Sequence, residues 1–131
     1  MNRSAITILL LISVAFWTGC KKNKLPTTAD LSVTCVALEG HDVDLTDLRA
    51  ELHTTATYES LKYHFQVKMT AASSIGSIKE IVPGRYFLVV WKDNDSNQKF
   101  SKGDFFGFYP HALNLKAGDN TSVTVEMYII E

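Results

Sequence analysis

The sequence lacks the features that mark several common classes of protein. Its 131 residues have a formal net charge of −1, so there is no concentrated lysine and arginine surface of the kind that binds nucleic acid. It has only two cysteines, no internal repeat and no low-complexity tract. Long segments with an apolar period of 3.6 residues are also missing. What remains is the composition of one ordinary globular domain, for which we expect no nucleic acid partner.

The most apolar part of the sequence is its beginning. Arg3 provides a positive charge, and residues 5–17 form an apolar run of 13 residues. A membrane-spanning helix needs about 20 apolar residues, so this run is too short to remain as a span. A charged start, a short apolar stretch and small residues at its end are the layout of a cleaved secretory signal peptide.

The residues that end this stretch carry a resemblance to a known class. Gly19-Cys20 resembles the lipobox of bacterial lipoproteins, although Trp17 stands where that class prefers leucine. The resemblance implies that residues 1–19 are a removed signal peptide, that Cys20 is lipidated, and that residues 20–29 are a membrane-anchored tether. Lys21, which is not an aspartate, favours the outer membrane of the cell envelope. An ordinary cleaved signal without a lipid is the alternative.

The second cysteine follows a different pattern. If Cys20 carries a lipid, no other cysteine remains to form a disulfide bond with Cys35. Cys35 alternates with Leu31 and Val33, so we expect its thiol to pack in the core as a small apolar group.

From residue 30 onward the dominant period is two, which is typical of β-strands. Turn residues separate the segments, as at Pro83-Gly84 and Ala117-Gly118. The pattern predicts an all-β fold for residues 30–131, a single β-sandwich of seven or so strands. Strands are predicted at residues 31–38, 48–55, 61–70, 75–82, 85–91, 105–108, 113–116 and 121–130.

A second resemblance lies in the C-terminal half. The residues concerned are Val82-Pro-Gly-Arg-Tyr-Phe-Leu with the Asp- and Asn-rich loop that follows this strand, then Gly103-Asp104-Phe-Phe-Gly107 and Ala117-Gly118-Asp119. Together they resemble carboxypeptidase-regulatory-like, or prealbumin-like, β-sandwich domains of exported bacterial proteins. The match covers residues 80–127 best. It implies an accessory domain that stabilises, spaces or presents other parts and does not catalyse a reaction.

The loop after residue 92 has the spacing of a calcium-binding loop. Numbered from Asp93, oxygen-bearing residues stand at positions 1, 3, 5, 9 and 12, and position 7 supplies a backbone carbonyl in loops of this type. Gln98 replaces the usual glycine at position 6, and aspartate replaces glutamate at position 12. The interpretation that the residues favour is a polar loop whose side chains bond their own backbone, and calcium binding is the sharper hypothesis. The predicted ligands are Asp93, Asp95, Asn97, Lys99 (carbonyl), Ser101 and Asp104.

Aromatic residues follow this loop. Phe105, Phe106, Phe108 and Tyr109 would bind a protein or glycan partner if they were exposed. The interpretation we favour is that they cover one end of the core, because large rings are costly to leave in water.

Sequence signatures of catalysis are absent. There is no Gly-x-Ser-x-Gly or His-Glu-x-x-His motif, the four histidines lack metal-ligand spacing, and we expect them in loops or in solvent. We therefore expect a non-enzymatic, membrane-anchored structural or binding module. A calcium-dependent glycan- or protein-recognition domain at the cell surface is the alternative, and an enzyme of unrecognised type is a third class.

Overall fold

The computed structural model describes residues 24–56, 65–68 and 75–131, and this part of the chain contains β-strands and no helix. The predicted all-β fold class is therefore confirmed. The strands are β1 (Ala29–Ala37), β2 (Arg49–His53), β3 (Phe65–Lys68), β4 (Ile75–Ile81), β5 (Gly84–Lys92), β6 (Phe105–Phe108), β7 (Leu113–Leu115) and β8 (Asn120–Ile129).

These strands form a mixed sheet that folds over into a nearly closed sandwich. Its order is β3-β2-β5-β6-β8-β1-β4, and β7 pairs with the first residues of β5. Neighbours are antiparallel except β1 and β8, which run parallel with Val33 opposite Val123. The outer strands β3 and β4 contact each other, so the two ends of the order meet.

The core lies between the two halves of this folded sheet. Alternate residues of β1 and β8 point inward and are fully or almost fully buried, as at Leu31, Cys35 and Val125. Full burial of one such aliphatic side chain contributes roughly 1.5–3 kcal/mol to folding. The predicted burial of Cys35 is confirmed, and this burial raises the pKa of its thiol to about 12.

β5 is buried on both faces, as its continuous apolar sequence predicts. Leu88 and Val90 belong to the core, whereas Val89 and Trp91 point to the opposite side of the sheet, which we call the outer face. Both are nevertheless buried, with Trp91 only 2% exposed. The outer face therefore carries a second packed layer, and the candidate sites lie on it.

The start of the domain is fixed to the turn between β7 and β8. Thr28 accepts a hydrogen bond from the Gly118 N–H at 2.8 Å, and the Asp30 N–H donates to Asp119 at 2.8 Å. Residues 24–27, which precede this point, are exposed. The predicted signal peptide of residues 1–19, Cys20, and residues 61–64 and 69–70 of the third predicted strand lie outside the described residues.

Candidate functional site

The acidic loop, residues 93–104, connects β5 to β6 and is attached to the end of the last strand. The Gly103 N–H donates to the carbonyl of Ile130 at 2.8 Å, and the Ile130 N–H donates to the carbonyl of Asp104 at 2.9 Å. The C-terminal end of the loop is therefore bonded to the residue that follows β8.

Three carboxylates of this loop converge. One oxygen from each of Asp93, Asp95 and Asp104 lies within 4.8 Å of the other two. Asp104 is 1% exposed and accepts hydrogen bonds from the Asn94 N–H (2.9 Å) and from the Ser101 N–H and hydroxyl (each 2.9 Å). Like charges at this separation repel each other, so a cation among them would stabilise the arrangement.

The carboxylate of Asp93 is held in its charged form. Burial raises its pKa, but hydrogen bonds from the backbone N–H groups of Gln98 (2.7 Å) and Asn97 (3.1 Å) outweigh this effect. The pKa of Asp93 is therefore below its ordinary value of 3.8, which is the direction required of a metal ligand.

The residue at position 6 of the loop takes the backbone conformation for which calcium loops use glycine. Gln98 has a φ of 62°, in the left-handed region, and Ser96 has a φ of 61°. Such a conformation is costly for a residue with a Cβ atom. The sharp turn at position 6 is thus made without glycine, at the expense of some backbone strain.

The other predicted ligands join the same network in different ways. The Ser101 hydroxyl donates to Asp104 at 2.9 Å and to Asp95 at 3.2 Å. The Asn97 amide group donates to Asp95 (2.7 Å), and its oxygen accepts from the Lys99 N–H (2.7 Å). Side-chain oxygens of Asp93, Asp95, Ser101 and Asp104 therefore lie together, and Lys99 enters the network through its backbone N–H.

The four predicted partner-binding aromatics are divided between the two faces of β6. Phe105 and Tyr109 pack against the core, as we expected for the whole group. Phe106 and Phe108 point to the outer face, and Phe108 is 43% exposed. The expectation that all four cover the core is therefore wrong for these two, because successive residues of a strand point to opposite faces.

A row of rings crosses the outer face beside the acidic loop. Phe100, at position 8 of the loop, lies edge-on between Trp91 (4.9 Å between ring centroids) and Phe106 (5.0 Å), and Phe106 contacts Tyr128 at 5.7 Å. We call Trp91, Phe100, Phe106 and Tyr128 the aromatic row. Each edge-to-face contact stabilises the fold by about 0.5–1.5 kcal/mol beyond the contribution of the apolar area that it buries.

Two open depressions lie on either side of Tyr128. The apolar groove, of about 520 Å³, is lined by Phe100, Phe106, His41 and the C-terminal residues 128–131. The mixed groove, of about 510 Å³, has both rings and polar side chains. Its lining residues are Leu38, Phe108, Tyr109, Pro110, His111, Thr124, Glu126 and Tyr128.

Sequence reasoning missed a buried polar cluster on the outer face. Glu51 is 0% exposed, and its two oxygens accept from the Trp91 indole N–H at 2.9 Å and contact Nε2 of His53 at 3.0 Å. His53 is 2% exposed, so the expectation of solvated or loop histidines is wrong for this residue. The available signal was a glutamate and a histidine two positions apart in the apolar strand β2, where both fall on one face. The cluster is closed to solvent and therefore to substrates.

Comparisons of the chain with known protein families, with curated proteins and with solved structures find no match. Within the described ranges, no helix is long and apolar enough to cross a membrane. The lipid attachment at Cys20 and the prealbumin-like family assignment stay predictions.

Proposed function

We propose that this protein is a non-enzymatic, lipid-anchored module of the bacterial cell envelope whose sandwich is stabilised by one Ca²⁺ ion in the acidic loop. The observation that carries the calcium assignment is the convergence of Asp93, Asp95 and Asp104. Ca²⁺ takes six to eight oxygen ligands. Oxygens of the three carboxylates and of Ser101 already lie together, and the Asn97 side chain and the Lys99 carbonyl would turn towards the ion to complete six.

The buried position of Asp104 supports a stabilising role for the ion. The Asp104 carboxylate accepts from the Asn94 N–H at the start of the loop, and its backbone carbonyl accepts from the N–H of Ile130, the residue after β8. An ion held by this carboxylate would therefore tie the β5–β6 connection to the C-terminal strand. A ligand that binds only the folded state stabilises it in proportion to the logarithm of its concentration.

Calcium binding is tested by calorimetric titration and by terbium luminescence, with Trp91 as the sensitiser. We expect saturable binding and a higher melting temperature with Ca²⁺. Asp95→Asn, which changes an exposed ligand, should weaken binding, whereas Asp42→Asn, an exposed carboxylate outside the loop, should not. No saturable binding at millimolar Ca²⁺ would overturn the assignment.

The membrane anchor rests on Gly19-Cys20 and on the exposed segment that leads into β1. Mass spectrometry of the mature protein from membranes should show acyl chains on Cys20. Cys20→Ser should move the protein to the soluble fraction. Recovery of an unmodified mature Cys20 would contradict the anchor and leave an exported, freely soluble domain.

A calcium-dependent recognition role is the second candidate, and one contact favours it. Phe100 belongs to the acidic loop, and its ring lies between Trp91 and Phe106 of the aromatic row. Ordering of the loop by an ion would therefore order part of a half-buried aromatic surface whose ring edges a glycan or protein partner could use. A pull-down from membranes with and without a chelator tests this role, and recovery of the same partners in both would contradict it.

A further inference from the structure

The mixed groove differs from the rest of the outer face in its chemistry. Its floor is the outward side of β8, where Thr124, Glu126 and Tyr128 alternate with the buried residues Val125 and Met127. At about 3.3 Å per residue, these three outward side chains extend over about 13 Å. The floor is therefore long enough for several units of a linear ligand.

One wall of the groove is the segment that follows β6. The Tyr109 N–H donates to the carbonyl of Leu88 at 3.0 Å, and the side chain of Tyr109 packs against the core. Pro110 follows, and the ring of His111 lies edge-on to Tyr109 at 5.8 Å. This wall is formed before any ligand arrives, which is the usual state of small-molecule sites.

The lining combines ring surfaces with two exposed polar side chains, those of Thr124 and Glu126. The rings are Phe108, Tyr109 and Tyr128, and Phe108 is 43% exposed. The side chains of Thr124 and Glu126 make no hydrogen bond or ion pair within the described part of the chain. A ligand that satisfies such a surface needs apolar C–H faces for the rings and hydroxyl groups for the carboxylate and the threonine.

The charges of the groove narrow the ligand class further. Glu126 is the one carboxylate among the lining residues, and none of them is a lysine or an arginine. A ligand with many negative charges would be repelled by Glu126 and would find no permanent cation. A neutral ligand with alternating hydroxyl and C–H surfaces fits these conditions, and its hydroxyls can donate to the carboxylate in a charge-assisted bond.

The geometry points to the mixed groove as a binding site for a neutral saccharide, stacked on Phe108 and Tyr128 and hydrogen-bonded to Glu126. The groove volume of about 510 Å³ is within the range of small-ligand sites. The inference goes beyond the function proposed above, and it requires neither calcium nor the lipid.

The test uses the full mature chain and four soluble neutral probes: maltohexaose, cellohexaose, xylohexaose and chitohexaose. Each is titrated while backbone amide chemical shifts are recorded by NMR, up to about 10 mM, which detects dissociation constants in the millimolar range. We expect at least one probe to saturate, with the largest shifts at Phe108, His111, Thr124 and Glu126. The titration is repeated with a chelator, and binding should persist.

Two groove variants and two matched control variants test whether the saccharide binds in the mixed groove. Phe108→Ala and Glu126→Gln change exposed side chains and should each weaken binding by about tenfold. Phe87→Ala and Asp42→Asn remove a ring and a carboxylate outside the groove and should leave binding unchanged.

Absence of saturation with all four saccharides, or equal losses in the control variants, would overturn the inference. The same holds if the groove residues respond to a mixture of neutral peptides and to none of the saccharides, because the groove would then be a peptide site. None of these outcomes affects the calorimetric calcium titration or the mass of Cys20, so failure of this inference is distinct from failure of the proposed function.

Discussion

The indole N–H of Trp91 donates to the buried carboxylate of Glu51 at 2.9 Å, from one strand to its neighbour on the outer face of the sheet. The other oxygen of Glu51 contacts Nε2 of His53 at 3.0 Å, so one carboxylate satisfies polar groups of both β2 and β5. Buried polar groups that keep such partners fix the register of their strands, because a slip of one residue would move each group to the other face.

We therefore expect Glu51→Ala to lower the free energy of unfolding by about 2–4 kcal/mol, since it leaves the Trp91 and His53 nitrogens without this acceptor. Glu51→Gln keeps an oxygen for the indole and should cost less. Urea denaturation followed by tryptophan fluorescence measures both. Equal stability of the alanine variant and the unaltered protein would show that the cluster contributes nothing to the fold.

Gly107 of β6 lies where no larger residue fits. A Cβ atom at this position would collide with the backbone oxygen of Glu126 and would lie 2.7 Å from Sδ of Met127. We expect Gly107→Ala to destabilise the protein by about 1–3 kcal/mol or to separate β6 from β8. Gly103→Ala is the control, because space is open there and only its φ of 95° is unfavourable. Thermal unfolding should show the larger loss for Gly107→Ala.

Burial of Cys35 makes the free energy of unfolding depend on pH in the alkaline range. The folded thiol keeps its proton up to about pH 12, whereas an unfolded thiol loses it near pH 9.0. Between these pH values the unfolded state binds fewer protons than the folded state, so the free energy of unfolding should fall as pH rises. In a Cys20→Ser background, Cys35→Ala should reduce this slope. At neutral pH, a thiol reagent should label Cys35 only as fast as the protein opens, and rapid labelling would contradict its burial.

The ion pair between Asp44 and Lys92 makes the stability of the fold depend on pH in the acidic range. Hydrogen bonds from Lys92 (2.7 Å) and from the hydroxyl and N–H of Thr46 lower the pKa of Asp44 from 3.8 to about 2. This stabilisation is fully present above pH 3.8 and is lost as pH falls to about 2. An NMR titration of the Asp44 carboxyl should show the lowered pKa, and Lys92→Met should return it towards 3.8. Asp44 is exposed, so added salt should reduce the difference.

Backbone strain at Gln98 predicts a variant with improved calcium binding. Gln98→Gly removes the Cβ atom from a residue with a φ of 62°, so a loop ordered for an ion costs less free energy. We expect a severalfold higher calcium affinity, measured by calorimetry. Gln98→Ala keeps the strain and should not improve affinity. An equal gain in both variants would assign the effect to the side chain and not to the backbone.

The sequence predicts best what depends on local pattern. β5 and β8 were predicted nearly to their ends, because a continuous apolar run and an alternating one each identify a strand. Asp93, Asp95 and Asp104 were predicted as a group because the spacing of ligands lies within one loop. By contrast, the contact of Tyr128 with Phe106 depends on the register of β8 against β6. The burial of Glu51 depends on which groups cover the outer face, and the spacing of residues in the sequence does not predict which groups these are.

The parallel pairing of β1 and β8 also places the start of the domain and the acidic loop at opposite ends of β8. The chain enters the sandwich beside the first residues of β8, and the acidic loop is bonded to Ile130, just beyond its last residue. The ten residues of β8 separate these points by about 33 Å, several times the ~8 Å over which physiological salt screens charge. With the lipid at Cys20 and the sandwich upright on its tether, anionic headgroups would not compete for the ion. The calcium affinity of the loop should then be the same whatever the lipid composition of the leaflet that holds the anchor.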